Sequence, residues 1–204
     1  MEEKNPISER LNQFENPRNQ AREFFEFIWD LAKTGIVVII LALLLRNFVI
    51  QPYIVDGESM MKNFVNNEYL LVEKISYLTG DVHRGDVIVF HPPQNPSTNY
   101  IKRVVGLPGE KVLIDNNKVT ITEKNGTKIV LSEPYLMPGI VTKVNSGDKE
   151  ITVTDNHFFV LGDNREKSSD SREWGLLPKE NIVGRTWITL LPFDRFGLHS
   201  RFTY

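Results

Sequence analysis

From Thr34 to Leu45 the chain reads TGIVVIILALLL, 12 residues without a charge, and the apolar character runs on past Arg46 to Ile50. As a helix, residues 34–50 span roughly 25 Å, a little short of the ~30 Å hydrocarbon core of a bilayer. Lys33 and Arg46 at its two ends cover the deficit by running their aliphatic stems along the core while their charges reach the interface. Upstream, Phe24, Phe27, Ile28 and Leu31 recur at helical spacing beside Trp29, as in an interfacial amphipathic turn. A buried core helix would share this composition. A cleaved leader would need small residues after the apolar stretch, where the chain reads RNFVIQPY. The expectation is a retained single-pass anchor that divides the chain into an N-terminal cytoplasmic segment (1–33), the membrane span (34–50) and an extracytoplasmic domain (51–204). Arg18, Arg22 and Lys33 before the span, against Arg46 and Lys62 after it, lean towards a cytoplasmic N-terminus.

The remaining composition narrows the chemistry. Lys plus Arg number 24 against 26 Asp plus Glu, a net charge of -2, so there is no basic field to gather nucleic acid. With 0 Cys and 4 scattered His, thiol nucleophiles, disulfides and Cys-bearing zinc sites are excluded, and neither a metal nor a cofactor is expected.

Beyond Gln51 the apolar block gives way to short runs rich in Val, Ile, Thr and aromatics, at 69–75, 86–90, 100–106, 111–114, 118–123, 127–132, 150–154, 157–162 and 185–191. Gly, Pro and Asn close them, and no convincing helix follows the anchor. The predicted fold is mainly β, an antiparallel sandwich or open barrel behind a single transmembrane helix. Asn125-Gly126 between two of the runs predicts a type I′ hairpin, and Asn116-Asn117 is a second candidate.

Without Cys or a metal, a nucleophile must be Ser, Thr, Lys or a carboxylate, and it needs a base able to take its proton near neutrality. Ser59, in VDGESMM, lies in a Gly-containing turn a few residues after the anchor, where free backbone N–H groups would suit an oxyanion. On its own, a Ser in a turn is structural far more often than catalytic. Lys102, in NYIKRVVGLPGE, neighbours Arg103, and alternation along a strand places one of the two cations on an apolar face. A desolvated lysine loses its preference for the charged form and becomes a usable base; a lysine snorkelling to a sheet edge does not. The polar run GDNREKSSDSREWG (162–175) reads as a solvated loop, yet Ser168 or Ser169 could hold a lysine amine, and Asp170 with Arg172 could form an ion pair that fixes the loop. At the surface such a pair adds little stability, so positioning is its better rationale.

GESM, GDVIVF, YIKRVVGLPGE and GDNREKSSDSREWG, in that order behind an N-terminal span, resemble the boxes of bacterial type I signal peptidases, the Ser/Lys leader peptidases. The resemblance covers roughly residues 34–191. It implies a β-rich catalytic domain at the outer face of the cytoplasmic membrane that removes signal peptides from secretory precursors after small residues in an Ala-x-Ala pattern. By motif position it implies Ser59 as nucleophile, Lys102 as general base, Ser168 as the group orienting the lysine amine, and Asp170 with Arg172 as a supporting pair. Tyr53, Val55, Phe64 and Ile101 would line shallow substrate pockets. The lipid bilayer and signal-peptide-bearing precursors are the implied partners. Two departures stand out: Gly57 occupies a position where some relatives carry an oxyanion-binding Ser, and Met61-Lys62-Asn63-Phe64 replaces the usual Pro-Thr-Leu element. A self-cleaving Ser/Lys repressor would instead carry a helical DNA-binding domain and no span. A catalytically dead relative would have lost Ser59 or Lys102.

Overall fold

The computed structural model describes residues 17–143 and 150–204. The predicted cytoplasmic segment before residue 17 lies outside the described residues. The chain divides into two compact units, one ending at Asn47 and the other running from Phe48 to Tyr204.

The described part of the first unit is one helix, α1 (Pro17–Phe48, 32 residues), whose last residue begins the second unit. Its Leu, Ile, Val, Phe and Trp side chains are exposed along the whole length, and the stretch Gln20–Phe48 is long and apolar enough to cross a membrane. Such a surface is stable in water only when something covers it. The predicted interfacial turn and span are therefore one continuous helix. It ends at Phe48, two residues before the predicted end of the span, because Ile50 is drawn into a β ladder opposite Glu73.

The second unit holds two antiparallel sheets, built from β1 (Ile50–Ile54), β2 (Tyr69–Glu73), β3 (Val87–Phe90), β4 (Tyr100–Gly106), β5 (Lys111–Asp115), β6 (Lys118–Thr122), β7 (Lys128–Val130), β8 (Ile151–Thr152), β9 (His157–Leu161), β10 (Leu177–Pro178), β11 (Ile182–Leu191) and β12 (Gly197–Leu198). The larger sheet runs β1-β2-β11-β3-β4-β9-β10, with β12 also paired to β11, and the smaller runs β7-β6-β5-β8. The sheets share a core in which Val105, Phe159 and Leu161 of the larger meet Val112, Ile114, Val119 and Ile121 of the smaller. A second cluster, with Ile88, Phe90, Val104 and Val160, packs on the other side of the larger sheet. Strands β3 and β4 are consequently covered on both faces. Sequence alternation required only one of Lys102 and Arg103 to be buried; both are, at 3% and 6% exposure.

Each predicted run contains a strand, but the hairpin expectation reverses. Asn116 and Asn117, with φ of 47° and 64°, form the two-residue turn between β5 and β6, whose ladder closes at Asp115 and Lys118. At Asn125-Gly126 only Gly126 has a positive φ, 87°. The Asn125 side chain accepts the Thr127 N–H at 2.8 Å, and the Gly126 N–H reaches back to the Glu123 carbonyl at 2.9 Å, so the connection is a longer loop rather than a type I′ turn.

Candidate active site

Ser59 sits in a turn whose two ends are fixed by different elements. Val55 pairs with the segment ahead of β2, donating to the Glu68 carbonyl and accepting from the Asn67 N–H, both at 2.8 Å. Gly57 adopts φ 105°, open only to glycine at low cost, and donates to the Asn66 side chain at 2.8 Å. The Met60 side chain is buried beside Val55, Phe64 and Leu70, acting as a plug that leaves Ser59 at the surface. From the far side, the Asn164 N–H donates to the Ser59 carbonyl at 2.9 Å and the Asn164 side chain to the Glu58 carbonyl at 3.1 Å. Among the described residues the Ser59 N–H has no acceptor in the protein, which leaves it available to an oxyanion.

Strand β4 brings Lys102 to this turn. Its Nζ donates to Ser59 Oγ at 2.8 Å and to the Ile101 carbonyl at 2.9 Å. Desolvation lowers the amine to about 8, against the nearby Asp170 and Asp163 carboxylates, which raise it, while Arg172 lowers it further. At pH 7 roughly a tenth of this amine is then unprotonated, with its lone pair free to face the serine hydroxyl 2.8 Å away.

The loop after β9 supports both groups. Asp170 is fully buried and caps the short helix Ser171–Trp174; its carboxylate accepts from the Gly162 N–H at 3.0 Å and from Arg172 Nε and Nη2, each at 2.8 Å. The pair is thus buried, contrary to the expectation of a surface one. Removing either partner would strand a charge in the interior. Arg172 also donates to the Arg165 carbonyl at 2.6 Å, closing the loop on itself. Gly162 is obligatory by space, since a Cβ there would fall on Ser168 Oγ and lie 2.6 Å from the Ser59 carbonyl oxygen. Ser168 Oγ is buried without a hydrogen-bond partner, so it makes no bond to Lys102 in this structure. Of the two serines considered, Ser169 lines the cleft in front of Ser59, and Ser168 faces a separate cavity beside Arg165.

That cleft encloses about 400 Å³, and its apolar wall includes Tyr53, Val55, Val89 and Ile101. Phe64 departs from expectation: it is 2% exposed, packs in the core, stacks on the His199 ring at 4.6 Å and borders a different cavity with Arg103 and His199. The extra bulk of Phe over a smaller aliphatic is taken up by the core and not by the cleft. Sequence reading overlooked the buried pair between Arg103 and Asp163, joined at 2.8 and 2.6 Å. The one available signal was the second cation beside Lys102, which had to find an acid if its face was covered. Asn63 and Asn164 carried no such signal, because their partners are distant in sequence.

Residues 28–191 match the family "Signal peptidase, peptidase S26". The chain is 41% identical over 172 residues to "Signal peptidase I" of Leptolyngbya laminosa, covering 81% of this chain and 80% of that protein. It is 37% identical over 175 residues to "Signal peptidase I S" of Bacillus subtilis (strain 168), covering 82% and 91%. A crystal structure of a signal peptidase I from Enterococcus faecalis V583 is 31% identical, covers 52% of this chain and 96% of that one, and superposes with a TM-score of 0.42. By extent of match and identity, the chain belongs to the signal peptidase I family, serine hydrolases that cleave signal peptides.

Proposed function

We propose that this chain is a membrane-anchored serine endopeptidase that removes N-terminal signal peptides from secretory precursors after small residues in an Ala-x-Ala pattern, using Ser59 and Lys102 through an acyl-enzyme. The observation that carries the reading is the 2.8 Å approach of Ser59 Oγ to the desolvated Lys102 amine. Neutral Lys102 takes the Ser59 proton as Oγ attacks the scissile carbonyl, and the Ser59 N–H holds the oxyanion. The lysine ammonium then protonates the leaving amine, forming the ester, and the same amine activates the water that hydrolyses it. Because Gly57 has no side chain, no hydroxyl from that position assists the oxyanion. Restriction to small residues is supported by the bulk of Tyr53, Val55 and Ile101 in a shallow cleft. Anchoring in a bacterial cytoplasmic membrane, with the catalytic unit outside, is supported by the exposed apolar surface of α1 and by the flanking positive charges.

The test is cleavage of a secretory precursor ending in Ala-x-Ala by the detergent-solubilised full chain, with Ser59→Ala alongside and the cut site read by mass. Cleavage after the small residue, abolished in the variant, is expected. Failure of folded wild-type protein on several such precursors would favour a tethered binding protein.

A further inference from the structure

The segment Met61-Lys62-Asn63-Phe64, which sets this chain apart from the usual family pattern, forms a staple on the turn that carries Ser59. Lys62 has φ 85°, a conformation closed to proline, and its Nζ donates to the carbonyls of Pro134 and Leu136 at 3.4 and 3.2 Å. Both hydrogens of the Asn63 carboxamide are used: Nδ2 donates to Asp163 Oδ2 at 2.6 Å and to the Tyr135 carbonyl at 3.0 Å. The Asn63 backbone carbonyl in turn accepts from Arg195 Nη2 at 3.0 Å, and Arg195 pairs with the buried Glu68.

The acceptor matters most. Asp163 is 1% exposed, and its two oxygens also hold Arg103, the residue after Lys102 on β4. Arg103 is fixed further by the Gly85 carbonyl at 3.0 Å and by the Tyr135 ring, 4.2 Å from its Cζ. The next residue along, Asn164, grips the Ser59 carbonyl. Between the grips the chain makes one tight turn, with the Asn63 and Phe64 N–H groups both on the Met60 carbonyl at 3.2 and 2.9 Å. Asp163 and Asn164 therefore clamp both ends of the nucleophile turn, while Asp163 simultaneously holds the lysine's strand.

We propose that Asn63 is a positioning residue whose carboxamide ties the Ser59 turn to the Asp163–Arg103 pair and so sets the approach of nucleophile to base. The role rests on the Ser59/Lys102 reading. It requires an amide, because a hydroxyl supplies one donor and a carboxylate none, and a carboxylate would face Asp163 with like charge.

The test uses the full-length detergent-solubilised chain as wild type, Asn63→Asp and Asn63→Thr. Two quantities are measured: kcat and KM on an Ala-x-Ala precursor peptide, and the titration midpoint of Lys102 by pH-dependent acetylation read by mass. The charged groups facing the amine are Asp170, Asp163 and Arg172. Asn63→Asp removes both donors and sets a second carboxyl against the buried Asp163, so the clamp opens: kcat at fixed pH falls at least ~10-fold with KM within about threefold, and the midpoint moves as the amine loses its fixed place beside Ser59. Asn63→Thr, which keeps one donor and adds no charge, loses less kcat and leaves the midpoint in place. If Asn63→Asp does not fold, the kcat of Asn63→Thr decides. A wild-type kcat in folded Asn63→Thr, or an unmoved Lys102 midpoint in folded Asn63→Asp, overturns the proposal. Should the wild type itself fail to cleave, the Ser/Lys reading fails separately, and the labelling midpoint alone decides the role of Asn63.

Discussion

A lysine held at 3% exposure with its amine lowered to about 8 is costly to the fold. Its folded-state value lies below the unfolded one near 10.5, so the folded state binds fewer protons. The cost is full below about 8, shrinks as pH rises towards 10.5, and vanishes above it. Lys102→Met keeps the length and discards the charge. It should abolish turnover yet stabilise the protein by about 3 kcal/mol at pH 7, an advantage that fades by pH 10; denaturant unfolding at the two pH values checks this. In the wild type, kcat/KM should rise with pH through about 8 as the amine deprotonates, and a flat profile from pH 6 to 9 would contradict the general-base role. Gly162→Ala should cut kcat at least tenfold, because the added methyl displaces either Ser168 or the carbonyl of Ser59; a kinetic comparison on a peptide substrate reads the loss. At this scale Ser59 and Lys102 were legible because each lies in a motif. Asn63 was not, because its carboxamide acts on Asp163, 100 residues away.

Local backbone demands explain which elements were readable. The alternating Val and Ile runs announced the strands that face a core, but β1 carries Pro52 and merged in sequence with the end of the anchor. Its place at the edge of the larger sheet reconciles the two, since Pro is tolerated where one side of a strand has no ladder partner. The Asn125-Gly126 pair misled because a side-chain bond to Thr127 competes with the left-handed conformation a type I′ turn requires of Asn125. The turn at Lys62 is a sharper instance. Lys62→Pro should cost about 3 kcal/mol or more, because proline cannot reach φ 85°, whereas Lys62→Gly should leave stability nearly unchanged as relief of backbone strain offsets the lost Nζ bonds. Thermal melts of the two variants distinguish a conformational demand from a merely chemical one, and similar melting points would contradict it.

Across the molecule, every site residue falls in the unit from Phe48 to Tyr204, and the exposed apolar surface of α1, Phe48 apart, falls in the other. Removing residues 1–47 should leave kcat on a soluble peptide within a few-fold while abolishing flotation with lipid vesicles, and a truncated chain that still floated would overturn the anchor. Sheet order was beyond the sequence, since β11 inserts between β2 and β3 and such pairing depends on contacts that no local pattern encodes. The clamp on the Ser59 turn shares that character. Lys102 is 43 residues from Ser59, and the Asn164 side chain grips a carbonyl 106 residues earlier in the chain. A ribosome must release the loop after β9 before the serine turn can be locked, and loop closure over such spans is among the slow events of folding. On the Ser59/Lys102 reading the nascent chain is inert until that loop has emerged, and refolding experiments should find hydrolytic activity emerging with the slowest assembly of the sheet rather than with its early hairpins.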